Sequence, residues 1–176
     1  MPRVLTVSGS VVVPIAPGEA YALIADPAGM GRWSPENQGA VVRGEDGAPY
    51  PGMVFDGRNK RGLVRWTTRC TVTAAEPGER FAFKVRAIGL RRPVVRGPIA
   101  TWEYHFETAP GGGTLVTETW TDDRRRWPDA AAWVFDHVVT SGHSFADFQR
   151  RNIAATLRRF AERCAAPASG EAGAGR

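Results

Sequence analysis

Two cysteines, three histidines and two lysines (Lys60 and Lys84) are all that this chain holds of those residue types. Cys70 and Cys164 lie far apart without metal-ligand spacing, so they read as reduced core thiols and exclude a disulfide framework. His105, His137 and His143 form no ligating cluster, and the sequence contains no G-x-S-x-G, Walker loop or dinucleotide-binding glycine fingerprint. Hydrolase, kinase and dinucleotide chemistry are therefore set aside, and neither a metal nor a cofactor is expected. No run approaches the roughly 20 apolar residues of a membrane span. The opening MPRVLTVSGSVVVPIAP alternates instead of forming a secretory apolar core, which places the expected protein in the cytoplasm. Basic residues exceed acidic ones, 23 against 18, for a net charge of +5. The arginines are spread along the chain and interleaved with acids, so nucleic acid is not an expected partner. Their number, beside abundant Ala and Gly, fits a GC-rich bacterial genome.

What is present suits one domain. A chain of 176 residues buries roughly 70% of its unfolded surface, enough for a core with a cavity in it. Residues 1–165 are read as that domain and residues 166–176, ending in PASGEAGAGR, as a disordered tail with almost nothing to bury. Leu5, Val7, Val11, Val13 and Ile15 share one parity and predict a first strand with one face on a core. Pro17 then opens a short helix, which Asp26-Pro27 ends. A second short helix or turn carries Met30, Arg32 and Trp33. Strands are expected over 40–44, 53–59, 63–75, 80–87, 99–107 and 114–122. Turns are read at Lys60-Arg61-Gly62, Pro77-Gly78 and Pro110-Gly111-Gly112-Gly113, with an Arg-rich loop over 90–98. Residues 123–142, with Trp127, Pro128, Trp133 and Phe135, read as a loop or short helix over an apolar edge. A final helix over 144–164 aligns Phe145, Gln149, Asn152, Ile153, Thr156, Leu157 and Phe160 on one stripe. Its other face pairs Asp147 with Arg151 and Arg158 with Glu162.

Alternation assigns the inward side chains. Phe55, Gly57 and Asn59 share the inner parity, as do Trp66, Thr68, Cys70 and Val72 on the next strand. Phe81, Phe83 and Val85 follow, then Trp102, Tyr104 and Phe106. Arg65, Arg69, Arg80 and Arg86 face water, as does His105. The last strand breaks the rule, because the parity that buries Val116 and Trp120 also buries Glu118 and Asp122. An ionised carboxylate in an apolar interior is costly, so such a group must be paired, hydrated or neutral. Glu118 is either held structurally, by an indole N–H, a Thr hydroxyl or Tyr104, or it touches a ligand in a partly wet pocket. Three inward indoles on neighbouring strands favour the pocket, since each N–H seeks a partner.

A strand, then APGEAYALIADPAGMGRWSPE, then strands carrying RNKRG, RWTTRCTV, ERFAFKV, ATWEYHF and GGTLVTETWTD, then the helix RRNIAATLRRF, resembles the SRPBCC superfamily of START-like and polyketide cyclase/dehydrase proteins, of an actinobacterial type. The resemblance runs from Val4 to Cys164. It implies an α+β helix-grip fold: a curved seven-stranded antiparallel sheet around a long C-terminal helix, two short helices after the first strand, and an internal apolar cavity. It also implies a lipid, sterol, hormone or polyketide as ligand, or cyclase and dehydratase chemistry on a poly-β-ketone. Members that cyclise polyketides grip substrate with interior polar groups, often an Arg and a Tyr, whereas the strand arginines here have outward parity.

The leading expectation is thus a binder of a hydrophobic small molecule, lipid or polyketide-like. Trp33, Phe55, Trp66, Phe83, Trp102, Tyr104 and Trp120 supply apolar contact, and Asn59, Thr68, Cys70, Asp122, Asn152 and Thr156 are the further ligand-binding candidates beside Glu118. The alternatives are a cyclase or dehydratase with Glu118 as catalytic acid or base, and a structural or regulatory protein without ligand. Arg91, Arg92 and Arg96 either line the pocket mouth or stay solvated. No sequence feature bears on oligomeric state.

Overall fold

A computed structural model of the chain describes residues 3–44, 47–125, 127–128 and 145–166. Trp133, Phe135, His137 and His143, and the segment 167–176 read as a tail, lie outside the described residues. Strand β1 (Thr6–Val13) leads into helix α1 (Pro17–Ile24) and a 3-10 turn (Met30–Arg32). Then come β2 (Asn37–Arg43), β3 (Val54–Arg61), β4 (Val64–Glu76), β5 (Arg80–Gly89), β6 (Val95–Thr108), β7 (Thr114–Asp122) and a long helix α2 (Phe145–Ala165). The strands form one curved antiparallel sheet in the order β1-β7-β6-β5-β4-β3-β2. Strands β2 to β7 are therefore a meander, and β1 closes on the last of them. Among the described residues no helix is long and apolar enough to cross a membrane.

Local chemistry sets the first turn of the chain. Pro17 sits where a helix needs no N–H partner, and the Ala16 N–H donates to Glu19 Oε2 at 3.1 Å. Asp26 ends the helix by accepting from the Ala28 N–H at 3.0 Å and pairing with Arg32 at 2.7 Å. Tyr21 and Ile24 go into the core, where the Tyr21 ring meets Phe81 and Phe106 edge-on.

Several boundaries differ from the sequence-based expectation. Strand β2 begins at Asn37, three residues early, because a register shift between Asn37 and Ala40 absorbs the irregularity. The β3–β4 turn is Gly62-Leu63, not Lys60-Arg61-Gly62: Arg61 pairs with Val64, and Gly62 takes the positive φ of 56° that a two-residue turn requires. The Arg-rich segment 90–98 is largely a hairpin. Ile88 pairs with Val95 and Ala87 with Arg96, and the irregularity between Val85 and Ala87 accommodates Pro98, which cannot donate to a ladder. On α2, Asp147 pairs with Arg150, not Arg151, and Arg158 pairs with Glu162 as expected.

Helix α2 buries Gln149, Asn152, Ile153, Thr156, Leu157 and Phe160, and it packs closely on β1 and β7. That approach depends on Gly9. Its position on the inner parity of β1 is where the helix comes nearest: a Cβ there would lie 2.8 Å from Ile153 Cγ2 and 3.4 Å from Leu157 Cδ1. With the helix resting on one side of the curved sheet, the inner face of β3 to β6 stands away from it. Replacing Gly9 by Val is expected to lift α2 off β1 and to cost about 1–3 kcal/mol, read as a lowered urea midpoint.

Candidate functional site

The gap between α2 and the sheet is a cavity of about 760 Å³, within the size range of small-molecule sites. Strands β3 to β7 supply its floor, and α2 supplies a roof that includes Gln149, Asn152, Thr156 and Phe160. Residues after α1, Met30 and Trp33 among them, close one end. Trp33 is anchored there by donating its indole N–H to the Leu23 carbonyl at 3.3 Å and by an edge-on contact with Phe160. Of the residues singled out from the sequence, the cavity wall contains Trp33, Asn59, Trp66, Thr68, Phe83 and Trp102. It also contains Tyr104, Glu118, Trp120, Asn152 and Thr156.

Phe55, Cys70 and Asp122 stand outside that wall. Phe55 is packed edge-on against Phe83, whose ring intervenes. Burial pushes the Cys70 thiol up to about 12, so it stays protonated and is a core group. Asp122 is claimed by Arg124, whose Nε and Nη2 donate to its two oxygens at 3.0 and 2.8 Å. The Arg124 N–H also donates to Asp122 Oδ1 at 2.9 Å. A buried carboxylate with these donors is satisfied without a ligand.

Glu118 is different. It is 2% exposed, and Tyr104, its directly paired neighbour on β6, donates its hydroxyl to Oε1 at 2.8 Å. Oε2 has no partner among the described residues. Burial raises the Glu118 pKa to about 8, against the opposing pull of the Tyr104 hydrogen bond. At neutral pH the group is therefore mostly a neutral acid, and its O–H has no protein acceptor among the described residues. Asn152 repeats the pattern: its amide donates to Gln149 Oε1 at 3.3 Å, and its Oδ1 has no partner among the described residues. A polar atom left this way in a wall made mostly of carbon is placed to meet a polar atom from outside the chain.

Among the described residues Arg61 and Arg124 also line the cavity, and both lie beyond the strand ends expected from the sequence. Arg65 and Arg86 do face solvent. Arg61, however, has the same parity as Phe55, Gly57 and Asn59, and β3 runs long enough to use it. It pairs with Glu36 and lies 3.8 Å over the Phe148 ring. Burial raises the Glu36 pKa, and Arg61 opposes the shift. Arg124 continues the parity of Glu118, Trp120 and Asp122 one step past β7 and is 2% exposed. Extending each inward alternation by two residues was the signal available for both. Phe145 stacks on Trp120 at 5.4 Å and belongs to the wall, as does Phe148.

A sheet gripping a long helix over an apolar cavity defines this chain as a helix-grip protein, and the family match places it in the SRPBCC superfamily. Residues 4–166 match the family model described as polyketide cyclase / dehydrase and lipid transport, and the chain belongs to that family. Among curated proteins, none matches the sequence. A polyketide-cyclase-like protein of Corynebacterium glutamicum is 28% identical with a TM-score of 0.54, covering 92% of this chain and 91% of its own. The major latex-like protein 151 of Panax ginseng shares the fold at 13% identity and a TM-score of 0.64, covering 92% of this chain and 97% of its own. A protein of Nitrosomonas europaea does so at 11% identity and 0.62, covering 90% and 92%.

The raised Glu118 pKa has a signed consequence. Between pH 4.5 and about 8 the unfolded chain releases this proton while the folded chain keeps it, so stability falls as pH rises through that window. Glu118→Gln removes the penalty. The variant is expected to gain stability relative to the parent above pH 8 and to lose that advantage below pH 4.5. The gain is at most a few kcal/mol, since each tenfold change in proton affinity is worth about 1.4 kcal/mol. Urea midpoints of both proteins across the window measure it.

Proposed function

We propose that this protein binds a hydrophobic small molecule, lipid or polyketide-like, in the cavity between α2 and the sheet, with a carbonyl or hydroxyl oxygen of the ligand facing Glu118. The observation that carries the reading is a largely apolar cavity of about 760 Å³ whose buried polar atoms, Glu118 Oε2 and Asn152 Oδ1, are unmatched among the described residues. Trp66, Phe83, Trp102 and Trp120 supply the apolar contact. The neutral Glu118 acid, steadied by Tyr104, donates its hydrogen bond to the ligand oxygen, and Asn152, Thr156 and Asn59 complete the polar contacts. The free thiols of Cys70 and Cys164 suit a reducing compartment, which supports a cytoplasmic site of action.

A second reading, cyclase or dehydratase chemistry, is favoured by one observation: a Glu118 pKa near 8 lets the group exchange a proton at ambient pH. In its ionised form Glu118 would take the acidic α-proton of a β-hydroxyketone. The resulting acid would return that proton to the departing hydroxyl, releasing water and leaving the enone.

Native mass spectrometry of the freshly purified protein, with the denatured extract analysed for small molecules, tests the first reading. One apolar adduct per chain is expected. Ala100→Phe, which grows a ring into the cavity from β6, should remove it while leaving the circular dichroism spectrum intact. A clean apo mass in the parent, or an adduct that survives Ala100→Phe, overturns the assignment. Glu118→Gln separates the two readings. A binding protein keeps its adduct with affinity lowered roughly tenfold, the worth of one hydrogen bond to a buried group. An enzyme loses enone formation from a β-hydroxyketone altogether.

A further inference from the structure

We infer that the mouth of the cavity is a docking surface for an anionic lipid bilayer. The tips of the β3–β4 and β5–β6 hairpins lie at one end of the sheet, because Thr67 pairs with Gly89 and the Thr67 hydroxyl donates to the Arg91 carbonyl at 3.4 Å. Val64, Leu90 and Val95 on those tips line the cavity and are more than half exposed, so the cavity opens between them. Leu63 and Val94, at 99% and 72% exposed, extend the same apolar rim outward. Aliphatic side chains more than half exposed and clustered on two adjacent tips mark an interaction surface.

Charge identifies the partner. Neither tip carries a carboxylate: the sequence has no Asp or Glu from 57 to 75 or from 80 to 102. Lys60, Arg65, Arg91, Arg92 and Arg96 are exposed there, and none forms an ion pair with a described residue. Glu36, just before β2, and Asp56 on β3 are already engaged, Glu36 by Arg61 and Asp56 by Arg43 and Arg69. Aliphatic side chains ringed by exposed cations match the boundary of an anionic bilayer, where the apolar groups enter the acyl region and the arginines meet the headgroup phosphates. A second copy of the chain is disfavoured, since two such rims would repel. A wholly polar anionic protein would leave Leu63, Leu90 and Val94 without a partner. Docking here would open the cavity directly onto the bilayer, whichever ligand it takes.

Co-sedimentation of the full chain with vesicles tests this. Vesicles of phosphatidylcholine and phosphatidylglycerol at two to one should bind the protein, pure phosphatidylcholine vesicles should bind it at least about tenfold less, and added salt should release it. Both Leu63→Asp with Val94→Asp and Arg91→Glu with Arg92→Glu alter exposed side chains outside the cavity wall, and each pair should lower binding roughly tenfold or more. Absence of binding to the anionic vesicles, or binding that survives both double substitutions, overturns the inference. Loss with the arginine pair but not with the apolar pair also overturns it, and assigns the rim to a polar polyanion such as an acidic protein. The adduct measurement on the Leu63→Asp, Val94→Asp variant is independent, because neither residue lines the cavity: retention of the adduct there keeps the cavity reading intact if docking fails.

Discussion

The approach of α2 to β1 over Gly9 is the constraint on which the rest of this structure depends. A single helix cannot cover both sides of a strongly curved seven-stranded sheet. Where it touches, at Gly9, Ile153 and Leu157, the core is buried and tightly packed. Where it does not, the aromatic side chains of β4 to β7 face across a space they are too few to fill. The cavity is thus a consequence of where the helix rests, and the glycine that permits the contact sits opposite Glu118 in the β1–β7 register.

That placement gives Glu118 its chemistry. The group lies at the transition between the packed core and the open cavity, buried enough to raise its pKa to about 8, with the Tyr104 hydroxyl partly offsetting the loss of water. Asp122, four residues further along the same face, has the opposite fate because Arg124 folds back onto it with two parallel hydrogen bonds. Two carboxylates of one parity on one strand therefore divide into a satisfied structural pair and an acid at the cavity wall with one oxygen unmatched among the described residues. The difference is made by one arginine, not by depth.

Most of the architecture was legible because strand parity and helix periodicity are strong signals in this chain. The inward sets on β4 to β7, the Pro-started α1 and the stripe on α2 all follow from side chains alternating at periods of 2 and 3.6. Parity also found Glu118, since no outward-facing register could bury Val116 and Trp120 without it. What parity could not deliver was the end of each strand. Placing a turn at Lys60-Arg61-Gly62 took Arg61 out of β3 and out of the cavity, and treating 90–98 as a loop hid a hairpin that carries the cavity's rim. Phe55 and Cys70 were assigned to the wall because parity separates inside from outside but not first layer from second. Distinguishing those layers takes the position of Phe83 and the helix, which are tertiary facts.

Glu118 standing in the cavity as a neutral acid is the point on which the site's chemistry turns. Carboxyl-carbon NMR of the side chain, followed through a pH titration of the unliganded protein, measures this directly. A midpoint near 8 is predicted, well above the roughly 4.3 of a hydrated glutamate. A midpoint at the ordinary value would mean that the folded chain does not desolvate the carboxylate, and would contradict the hydrogen-bond donor that Glu118 offers to the cavity.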